Sequence, residues 1–520
     1  MSSLFGIAGN GASEFYTTKI DQSLRFNDND NAYLKKTYSG AGNTKTWTWS
    51  GWIKRANLNV RQQIFGQLDI SVTNRQNYAY FHEDGHIWFV NYTTSGYNYR
   101  LITSQVFRDT ANWYHLVFVQ DTTQSTSSDR LKIYVNGTQI TSYSTASYPS
   151  LNFDGWINQN TGQGIQFGVG KVVPYASNDQ PLDGYMAEVN FIDGTALTPS
   201  SFGETKNGVW IPKAISGLTY GTNGFRFTFA DSSSLGDDTS GNGNDFTTNG
   251  LTSTDVVLDS PTNNFATFNV LTGHSATIMS QGSLRALANN SSNVLESQSS
   301  TIGVTSGKWY AEFRADDLVN DGQNNGTQIG VTTVPFNRGS GNQNGYIVGN
   351  TRVNLDQNTG AYLGVDQNIT QNNIGTYADG DIIGVALDVD NSQVSFYKNG
   401  SAITNATNAS ITVQNALHFF EIQVRKYSGD TSQITANFGQ DSTFAGATSA
   451  GGNTDGNGVG DFKYSVPSGY LALCSANLPD TDLSPNQVEQ ADDYFNTVLY
   501  SGDGNTTQNV TGVGFQPDWT

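Results

Sequence analysis

The stretch that decides the fold is Thr46-Trp-Thr-Trp-Ser-Gly-Trp-Ile53. Trp47 and Trp49 alternate with small polar side chains, and Ile53 continues the alternation past a bulge that we expect at Gly51. A period of two places large apolar side chains on one face of a strand and polar side chains on the other. The stretch therefore predicts a strand with one face in a hydrophobic core.

The same alternation of apolar and polar residues returns in two sets of segments, one before about residue 203 and one after Gly307. Each set contains an Asn-Gly pair between alternating runs, Asn136-Gly137 and Asn399-Gly400, which predicts a tight hairpin because both residues tolerate positive φ. The echo between Ile133-Tyr-Val-Asn-Gly and Phe396-Tyr-Lys-Asn-Gly fits two related modules, but any hairpin-rich protein can produce it. We predict an all-β chain with two tandem antiparallel β-sandwiches.

The changes in composition along the chain predict five segments. They are an N-terminal arm at 1–20, a first sandwich at 21–203, a Gly-, Asp- and Asn-rich linking subdomain at 204–284, a second sandwich at 285–445 and a loop-rich C-terminal segment at 446–520.

Composition and net charge limit the classes of function that this chain can have. Aromatic residues make up 12% of the chain and charged residues 14%, which is typical of a folded β protein with polar loops and not of a disordered one. The net charge of −19 repels phosphate backbones and anionic lipids, so we expect neither nucleic-acid binding nor membrane insertion. The N-terminus lacks the basic and apolar regions of a signal peptide, and the lone Cys474 excludes an internal disulfide.

The first sandwich resembles the laminin-G-like, concanavalin-type lectin/glucanase jelly roll over about residues 20–203. The stretches that carry this resemblance are Ser23-Leu-Arg-Phe, Trp47-Thr-Trp-Ser-Gly-Trp-Ile, Asn112-Trp-Tyr-His-Leu-Val-Phe-Val, Ile133-Tyr-Val-Asn-Gly and Leu182-Asp-Gly-Tyr-Met-Ala-Glu-Val-Asn-Phe-Ile-Asp-Gly.

The second sandwich resembles a SPRY domain, a β-sandwich that mainly binds proteins, over about residues 285–440. This resemblance rests on Gly307-Lys-Trp-Tyr-Ala-Glu-Phe, Asp381-Ile-Ile-Gly-Val-Ala-Leu-Asp, Val394-Ser-Phe-Tyr-Lys-Asn-Gly and Asn437-Phe-Gly-Gln.

The combination, together with joining stretches such as Ser240-Gly-Asn-Gly-Asn-Asp-Phe and Asp259-Ser-Pro-Thr-Asn-Asn-Phe, resembles large structural proteins of tailed phages. In such proteins the phrase Phe515-Gln-Pro-Asp-Trp519 opens a further module, whereas this chain stops at Thr520, so it is either a shortened member or a fragment. The resemblance implies a tail fibre or fibre-associated adhesin, which is a homotrimer in the virion. Its N-terminal arm would attach to other virion proteins, and its sandwiches would contact a host surface glycan. A head fibre, a capsid decoration protein and a polysaccharide depolymerase are the alternatives.

Catalytic motifs are weak in this sequence. A retaining jelly-roll glucanase carries a Glu-x-Asp-x-x-Glu pattern, which is absent, and Glu188 and Asp193 are expected on opposite faces of a strand. The cluster His82-Glu-Asp-Gly-His86 is expected to be a hairpin turn, and His115 a structural histidine within an apolar strand. We therefore expect no enzymatic activity.

Calcium is the one cofactor that the sequence suggests, because this ion prefers Asp and Asn oxygens. The first choice is the loop with Asp237, Asp238, Asn242, Asn244 and Asp245; the loops with Asp28 and Asp30, and with Asp455, Asn457 and Asp461, are weaker candidates. Each of these loops also has the composition of an ordinary tight turn.

Glycan binding needs exposed aromatic rings beside polar loops. The segment Asn91–Arg100 offers Tyr92, Tyr97 and Tyr99, which we consider as ligand-binding residues. The alternative is that the three rings form a cross-strand aromatic ladder on a hairpin.

Overall fold

The computed structural model describes residues 15–69, 75–160, 166–171, 181–290, 295–319, 327–333, 352–356, 362–363, 369–371, 377–404, 406–410, 417–427 and 429–479, and a few single positions between 495 and 514. These residues form several antiparallel sheets in two β-sandwiches, so the predicted fold class is confirmed. The helical elements that are described in full are 3-10 turns at Asp28–Asp30, Ser127–Asp129, Pro199–Ser201 and Ser253–Asp255. Within this part of the chain, no helix has the length and apolar character needed to cross a bilayer.

The first eighteen strands build the first sandwich and a small hairpin beside it. They are β1 (Ser23–Phe26), β2 (Tyr33–Thr37), β3 (Thr46–Arg55), β4 (Gln62–Asp69), β5 (Arg75–Phe81), β6 (His86–Thr93), β7 (Gly96–Val106), β8 (Tyr114–Asp121), β9 (Leu131–Val135), β10 (Thr138–Gln139), β11 (Tyr143–Ser147), β12 (Gln166–Val169), β13 (Gly184–Asp193), β14 (Gly203–Lys206), β15 (Val209–Pro212), β16 (Phe225–Phe227), β17 (Thr247–Asn249) and β18 (Val256–Val257).

Two sheets face each other in this sandwich. Sheet I has the order β10-β9-β8-β3-β13-β1-β18, with β16 also on β13, and sheet II has the order β11-β7-β6-β5-β4-β12-β2-β17. Trp49 of sheet I stacks on Phe65 of sheet II with ring centroids 4.7 Å apart and planes 9° apart. Stacked aromatic pairs add to the free energy gained by burying their area, so this pair holds the two sheets together.

The bulge that we expected at Gly51 is not there. Strand β3 pairs with β8 without interruption, and the bulge lies in β13, between Ala187 and Asn190. A Cβ atom at position 51 would come within 2.6 Å of the Trp49 ring, so Gly51 makes room for the indole on the same strand face.

The segment 204–284, which we expected to form a separate linking subdomain, is divided between the two sandwiches. Strands β16, β17 and β18 pair with β13, β2 and β1 of the first sandwich. Phe225, Phe227 and Phe246 are buried in its core, where the ring of Phe246 contacts the other two. The end of the segment belongs to the second sandwich.

The remaining strands build the second sandwich. They are β19 (Ile278–Ser280), β20 (Arg285–Leu287), β21 (Leu295–Ser299), β22 (Lys308–Asp317), β23 (Gln328–Thr332), β24 (Arg352–Asp356), β25 (Tyr362–Leu363), β26 (Ile369–Gln371), β27 (Ile382–Asp388), β28 (Gln393–Lys398), β29 (Ser401–Ala402), β30 (Ala409–Ser410), β31 (Phe419–Tyr427), β32 (Asp430–Thr431), β33 (Gln433–Asn437) and β34 (Leu471–Ala472).

The strand orders of its two sheets are β19-β20-β33-β22-β27-β28-β29 and β21-β31-β23-β24-β25-β26, with short strands on their edges. Both Asn-Gly pairs form the predicted hairpins, and Asn136 and Asn399 have φ of 46° and 49°.

Part of the C-terminal segment packs on the second sandwich. Strand β34 pairs parallel to β22, and the buried carboxylate of Glu312 accepts hydrogen bonds from the backbone N–H groups of Lys463 (2.8 Å) and Tyr464 (2.9 Å). Burial raises the pKa of Glu312 to about 7 although these bonds act to lower it.

A buried lysine ties the two sandwiches together. Lys54 of β3 has no exposed side-chain surface, and its Nζ donates to Asp259 Oδ2 (2.7 Å), Asn264 Oδ1 (2.7 Å) and the Phe265 carbonyl oxygen (2.9 Å). These three acceptors lie in the chain that leads from the first sandwich to the second. A charge removed from water needs several partners. Lys54 therefore holds the connecting segment against the first sandwich.

The arm at 1–20 is described only from residue 15, and residues 1–14 lie outside the described part of the chain. Phe15 is buried, and Lys206 Nζ donates to its carbonyl oxygen at 2.6 Å. Ile20 exchanges two hydrogen bonds with Thr262 Oγ1. Residues 15–20 therefore pack on the protein, and the attachment of the arm to other virion proteins stays a prediction.

Replacing Lys54 tests this connection. We expect Lys54→Met to lower the free energy of unfolding by ~3–5 kcal/mol, because Asp259 would remain buried without its cation. Urea unfolding at pH 7 measures the change. Lys45→Met is the matched control, since the Lys45–Asp154 pair is 3.9 Å apart and exposed, and such pairs contribute ~0–1 kcal/mol. Equal losses in the two variants would contradict a structural role for Lys54.

Candidate functional site

The outer face of sheet II carries a continuous band of aromatic rings. Strands β5, β6 and β7 point Phe81, Phe89 and Tyr99 into the core, so the residues between them point outward. We call the outward set the aromatic stripe; it consists of Tyr78, Tyr80, His82, Trp88, Tyr92, Tyr97 and the guanidinium of Arg100. Tyr80 is only 6% exposed, so its ring supports its neighbours and is not itself available to a ligand.

The rings of the stripe contact one another across the three strands. Trp88 lies 4.7 Å from His82 at an interplanar angle of 16°, and 5.7 Å from Tyr80. Arg100 links the Trp88 group to the Tyr92–Tyr97 pair, because its guanidinium lies 4.5 Å from the Tyr97 centroid and 5.9 Å from that of Trp88. These contacts hold the rings in place before any ligand arrives, which lowers the entropy cost of binding.

The stripe contains two of the three tyrosines named from the sequence. Tyr92 and Tyr97 are partners across the β6–β7 hairpin with ring centroids 5.1 Å apart, and Tyr97 is 45% exposed. Tyr99 points the other way and is fully buried, where its hydroxyl donates to Gln120 Oε1 and accepts from Asn77 Nδ2. A buried ring cannot stack on an external glycan, so the assignment of Tyr99 as a ligand-binding residue is wrong.

The predicted hairpin turn at His82-Glu-Asp-Gly-His86 is confirmed. Gly85 has a φ of 91°, and the backbone N–H of His82 donates to the carbonyl oxygen of His86 at 2.8 Å.

The loop that we favoured for calcium uses its oxygens for internal hydrogen bonds. The Asp238 carboxylate accepts from the backbone N–H groups of Arg226, Ser240 and Asn244, and Asp245 Oδ1 accepts from the N–H of Asp238 at 3.0 Å. Asn242 and Asn244 both donate through Nδ2 to the Gly224 carbonyl oxygen, at 2.9 Å each, and Asp237 is exposed. The structure therefore does not gather these five side chains around a common point.

The loop with Asp455, Asn457 and Asp461 is similar. Asp455 accepts from the N–H groups of Asn457, Val459 and Ala472, and Asp461 accepts from Ser442 and from the N–H of Gly452. Across the described ranges, no three His, Cys, Asp or Glu side chains come together as a metal-binding group. Calcium binding by either loop stays a prediction, and the carboxylates of these loops do not converge on one point.

Glu188 and Asp193 have separate structural partners. Glu188 has a φ of 46° at the β13 bulge, and its carboxylate pairs with the Arg226 guanidinium at 3.0 Å. Asp193 accepts from the backbone N–H of Asn43 and from Asn158 Nδ2, and so holds loops together. The cavity beside Glu188 has a volume of about 200 Å³, below the ~300–1,000 Å³ of typical ligand pockets.

A serine and a histidine lie within hydrogen-bonding distance in sheet I. Ser50 Oγ is 2.9 Å from His115 Nε2, and Trp210 Nε1 donates to His115 Nδ1 at 3.0 Å. Because an indole N–H only donates, Nδ1 is the acceptor, and in the neutral ring Nε2 carries the proton and donates to Ser50. This histidine cannot take a proton from Ser50, so the pair is structural, as predicted for His115.

His115 gives a pH prediction. Burial lowers its pKa to about 3, whereas an unfolded histidine titrates near ~6.5. The unfolded chain therefore binds a proton that folded His115 does not, and its contribution to stability is lost as the pH falls from about 6.5 toward 3. We expect the His115 ring in ¹⁵N NMR spectra to remain the Nε2–H tautomer from pH 8 to pH 5. A signal that titrates in this range would contradict the assignment.

Sequence reasoning missed Tyr78, Tyr80, Trp88 and Arg100. The sequence pattern that could have identified the aromatic residues is found in Tyr78-Ala-Tyr-Phe and His86-Ile-Trp-Phe-Val, where large rings occupy both faces of a strand. One of those faces must be outside the core of a two-layer sandwich.

Comparisons with known proteins agree with the two sandwiches. Residues 27–201 match the laminin G model described as the Concanavalin A-like lectin/glucanases superfamily, and residues 308–435 match the SPRY domain model. No curated protein matches the sequence.

Similar solved structures include the SPRY domain of human HERC1 (19% identity, 32% of this chain and 96% of that chain, TM-score 0.26). A heptameric SAP-like pentraxin from Limulus polyphemus has 16% identity over 35% of this chain and 80% of its own, with a TM-score of 0.25. A protein from Bacteroides ovatus titled as carbohydrate-binding has 17% identity over 45% of this chain and 60% of its own, with a TM-score of 0.29. Along the chain, the match to the Concanavalin A-like lectin/glucanases model is therefore followed by the match to the SPRY model, one in each sandwich.

Proposed function

We propose that this protein is a non-enzymatic binding protein whose lectin-like sandwich recognises a carbohydrate through the aromatic stripe. The observation that carries the proposal is the continuity of the stripe across three neighbouring strands. Sugar rings have apolar faces that pack on aromatic rings, and their hydroxyl groups need polar partners beside those rings. In the stripe, Trp88 and Tyr97 supply rings, and Arg100 supplies hydrogen-bond donors between them.

The shape of the stripe favours an extended ligand. It runs across three neighbouring strands, so a chain of several sugars would contact more rings than one sugar. A surface polysaccharide is the ligand class that meets this condition. Each contact would be weak, and repeated contacts would add affinity.

We further propose that the protein is a tail fibre or fibre-associated adhesin of a phage virion, with the host surface glycan as its ligand. The support is the joining stretches that resemble phage structural proteins and the net charge of −19, which favours solubility over membrane or nucleic-acid association. Attachment through the N-terminal arm and a homotrimeric state belong to this proposal. Trimerisation would raise the avidity for a polysaccharide by ~10²–10⁴.

The glycan proposal is tested on an array of bacterial surface polysaccharides, followed by calorimetry with a bound oligosaccharide. We expect Trp88→Ala and Tyr97→Ala each to weaken binding tenfold or more, about 1.4 kcal/mol, because each removes a central ring of the stripe.

Tyr134→Ala is the matched control, since Tyr134 is a half-buried tyrosine on β9 in the opposite sheet, and its removal should leave the affinity unchanged. Thermal unfolding of each variant separates a loss of binding from a loss of fold. Unchanged affinity in both stripe variants would refute the stripe as the binding surface.

The position in the particle is tested with gold-labelled antibody on purified virions. We expect label on the tail. Label over the capsid shell, with hundreds of copies per particle, would instead support a capsid decoration protein or head fibre.

A further inference from the structure

The second sandwich inserts a hairpin turn into the first. Strands β19 and β20 pair, and the turn between them contains Gln281, Gly282 and Ser283 with φ of 55°, 69° and 60°. Non-glycine residues rarely adopt positive φ, so Gln281 and Ser283, on either side of Gly282, are held in this conformation by their surroundings. A Cβ atom on Gly282 would come within 2.2 Å of the Tyr185 hydroxyl oxygen, which shows how closely the turn meets β13.

Hydrogen bonds connect this turn to two acidic parts of the first sandwich. The backbone N–H of Gln281 donates to Asn27 Oδ1 (3.2 Å), and its Nε2 donates to Asp30 Oδ2 (3.3 Å). The N–H of Gly282 donates to Asp183 Oδ1 (3.4 Å), just before β13. The 3-10 turn that begins at Asp28 and the residue Asp183 therefore meet at Gln281 and Gly282.

Two buried oxygens at this meeting point have no hydrogen-bond donor. They are Asp183 Oδ2 and Gln281 Oε1, and neither has a partner among the described residues. Asp183 is fully buried and Gln281 is 7% exposed. A buried acceptor without a donor costs ~1–3 kcal/mol, and more when it is charged, so two of them at one junction call for a further partner such as a cation.

The protein's own cations near this point are already engaged. Arg25, whose charge acts to lower the pKa of Asp183, pairs with Asp441 at 2.8 Å and with Asp255 at 3.2 Å. Lys171 donates to Asn31 Oδ1 at 2.6 Å. Burial, with a further contribution from the charge of Asp28, raises the pKa of Asp183 well above its usual range. A raised pKa favours the neutral carboxyl group, so a cation that binds here would have to displace a proton from Asp183.

We propose that a divalent cation binds at this junction, with Asp183 Oδ2 and Gln281 Oε1 as ligands and Asp28 or Asp30 as the second carboxylate. Calcium suits the site better than magnesium, because it accepts mixed carboxylate and amide oxygens in irregular geometry, whereas Mg²⁺ demands a near-ideal octahedron. The proposed ligands are two carboxylates and one amide oxygen, so the site does not require a group of three acidic side chains. Since Gln281 comes from the second sandwich, the ion would hold the lectin-like and SPRY sandwiches in a fixed orientation.

The test uses the full chain after removal of metals with EDTA. We expect Ca²⁺ to bind in calorimetry and to raise Tm by about 5 °C or more at a hundredfold excess over Kd, because the ion binds only the folded state. Asp183→Asn keeps the shape of the side chain, and we expect it to weaken Ca²⁺ binding at least tenfold and to abolish the Tm shift. Asp154→Asn, at a carboxylate that is 57% exposed and lies outside every candidate calcium loop, is the matched control and should retain both.

Gln281→Met keeps the fold testable if Asp183→Asn does not fold. It removes the amide oxygen at similar volume, and we expect weaker Ca²⁺ binding. The proposal is overturned if the wild type shows neither heat nor a Tm shift with Ca²⁺ or Mg²⁺, or if Asp183→Asn retains the shift. A proton shared between Asp183 and Gln281 would give the first of these results, together with an Asp183→Asn variant at least as stable as the wild type.

Discussion

The stacking of Trp49 on Phe65 is the contact on which the rest of the lectin-like sandwich depends. It joins the two sheets at their centre, and it requires Gly51 because the indole covers that position. Once the sheets are joined, one face of β5, β6 and β7 must point into the core and the other must point outward. Phe89 is then inside and Trp88 outside. The candidate binding surface is therefore the reverse side of the hydrophobic core, and its rings are positioned by the packing beneath them.

Charged side chains, and not apolar surface alone, define how the two sandwiches meet. Lys54 and Arg25 are both buried, and each has two or more acceptors in the connection or in the second sandwich. Buried ions lose their hydration, so such contacts contribute more to a unique geometry than to net stability. A divalent cation near Asp183 would belong to the same set of contacts. The aromatic stripe would then be carried by one rigid unit and not by a freely hinged domain.

The sequence predicted the fold well because the alternation and the Asn-Gly turns are local signals. It failed where a distant contact or a single inserted residue decides the outcome. Tyr97 and Tyr99 are two residues apart and would share a face in a regular strand, but Asn98 is an extra residue in the pairing with β6 and turns Tyr99 inward. The Asp238 loop has the composition of a calcium site, yet its oxygens accept backbone N–H groups that no sequence pattern could assign.

A crystal structure of the protein with its bound oligosaccharide tests the central claim most directly. Our account predicts a sugar ring in contact, within about 4–4.5 Å, with the faces of Trp88 or Tyr97 and a hydroxyl group hydrogen-bonded to Arg100. An oligosaccharide bound on the SPRY sandwich, or on sheet I of the lectin-like sandwich, would contradict it.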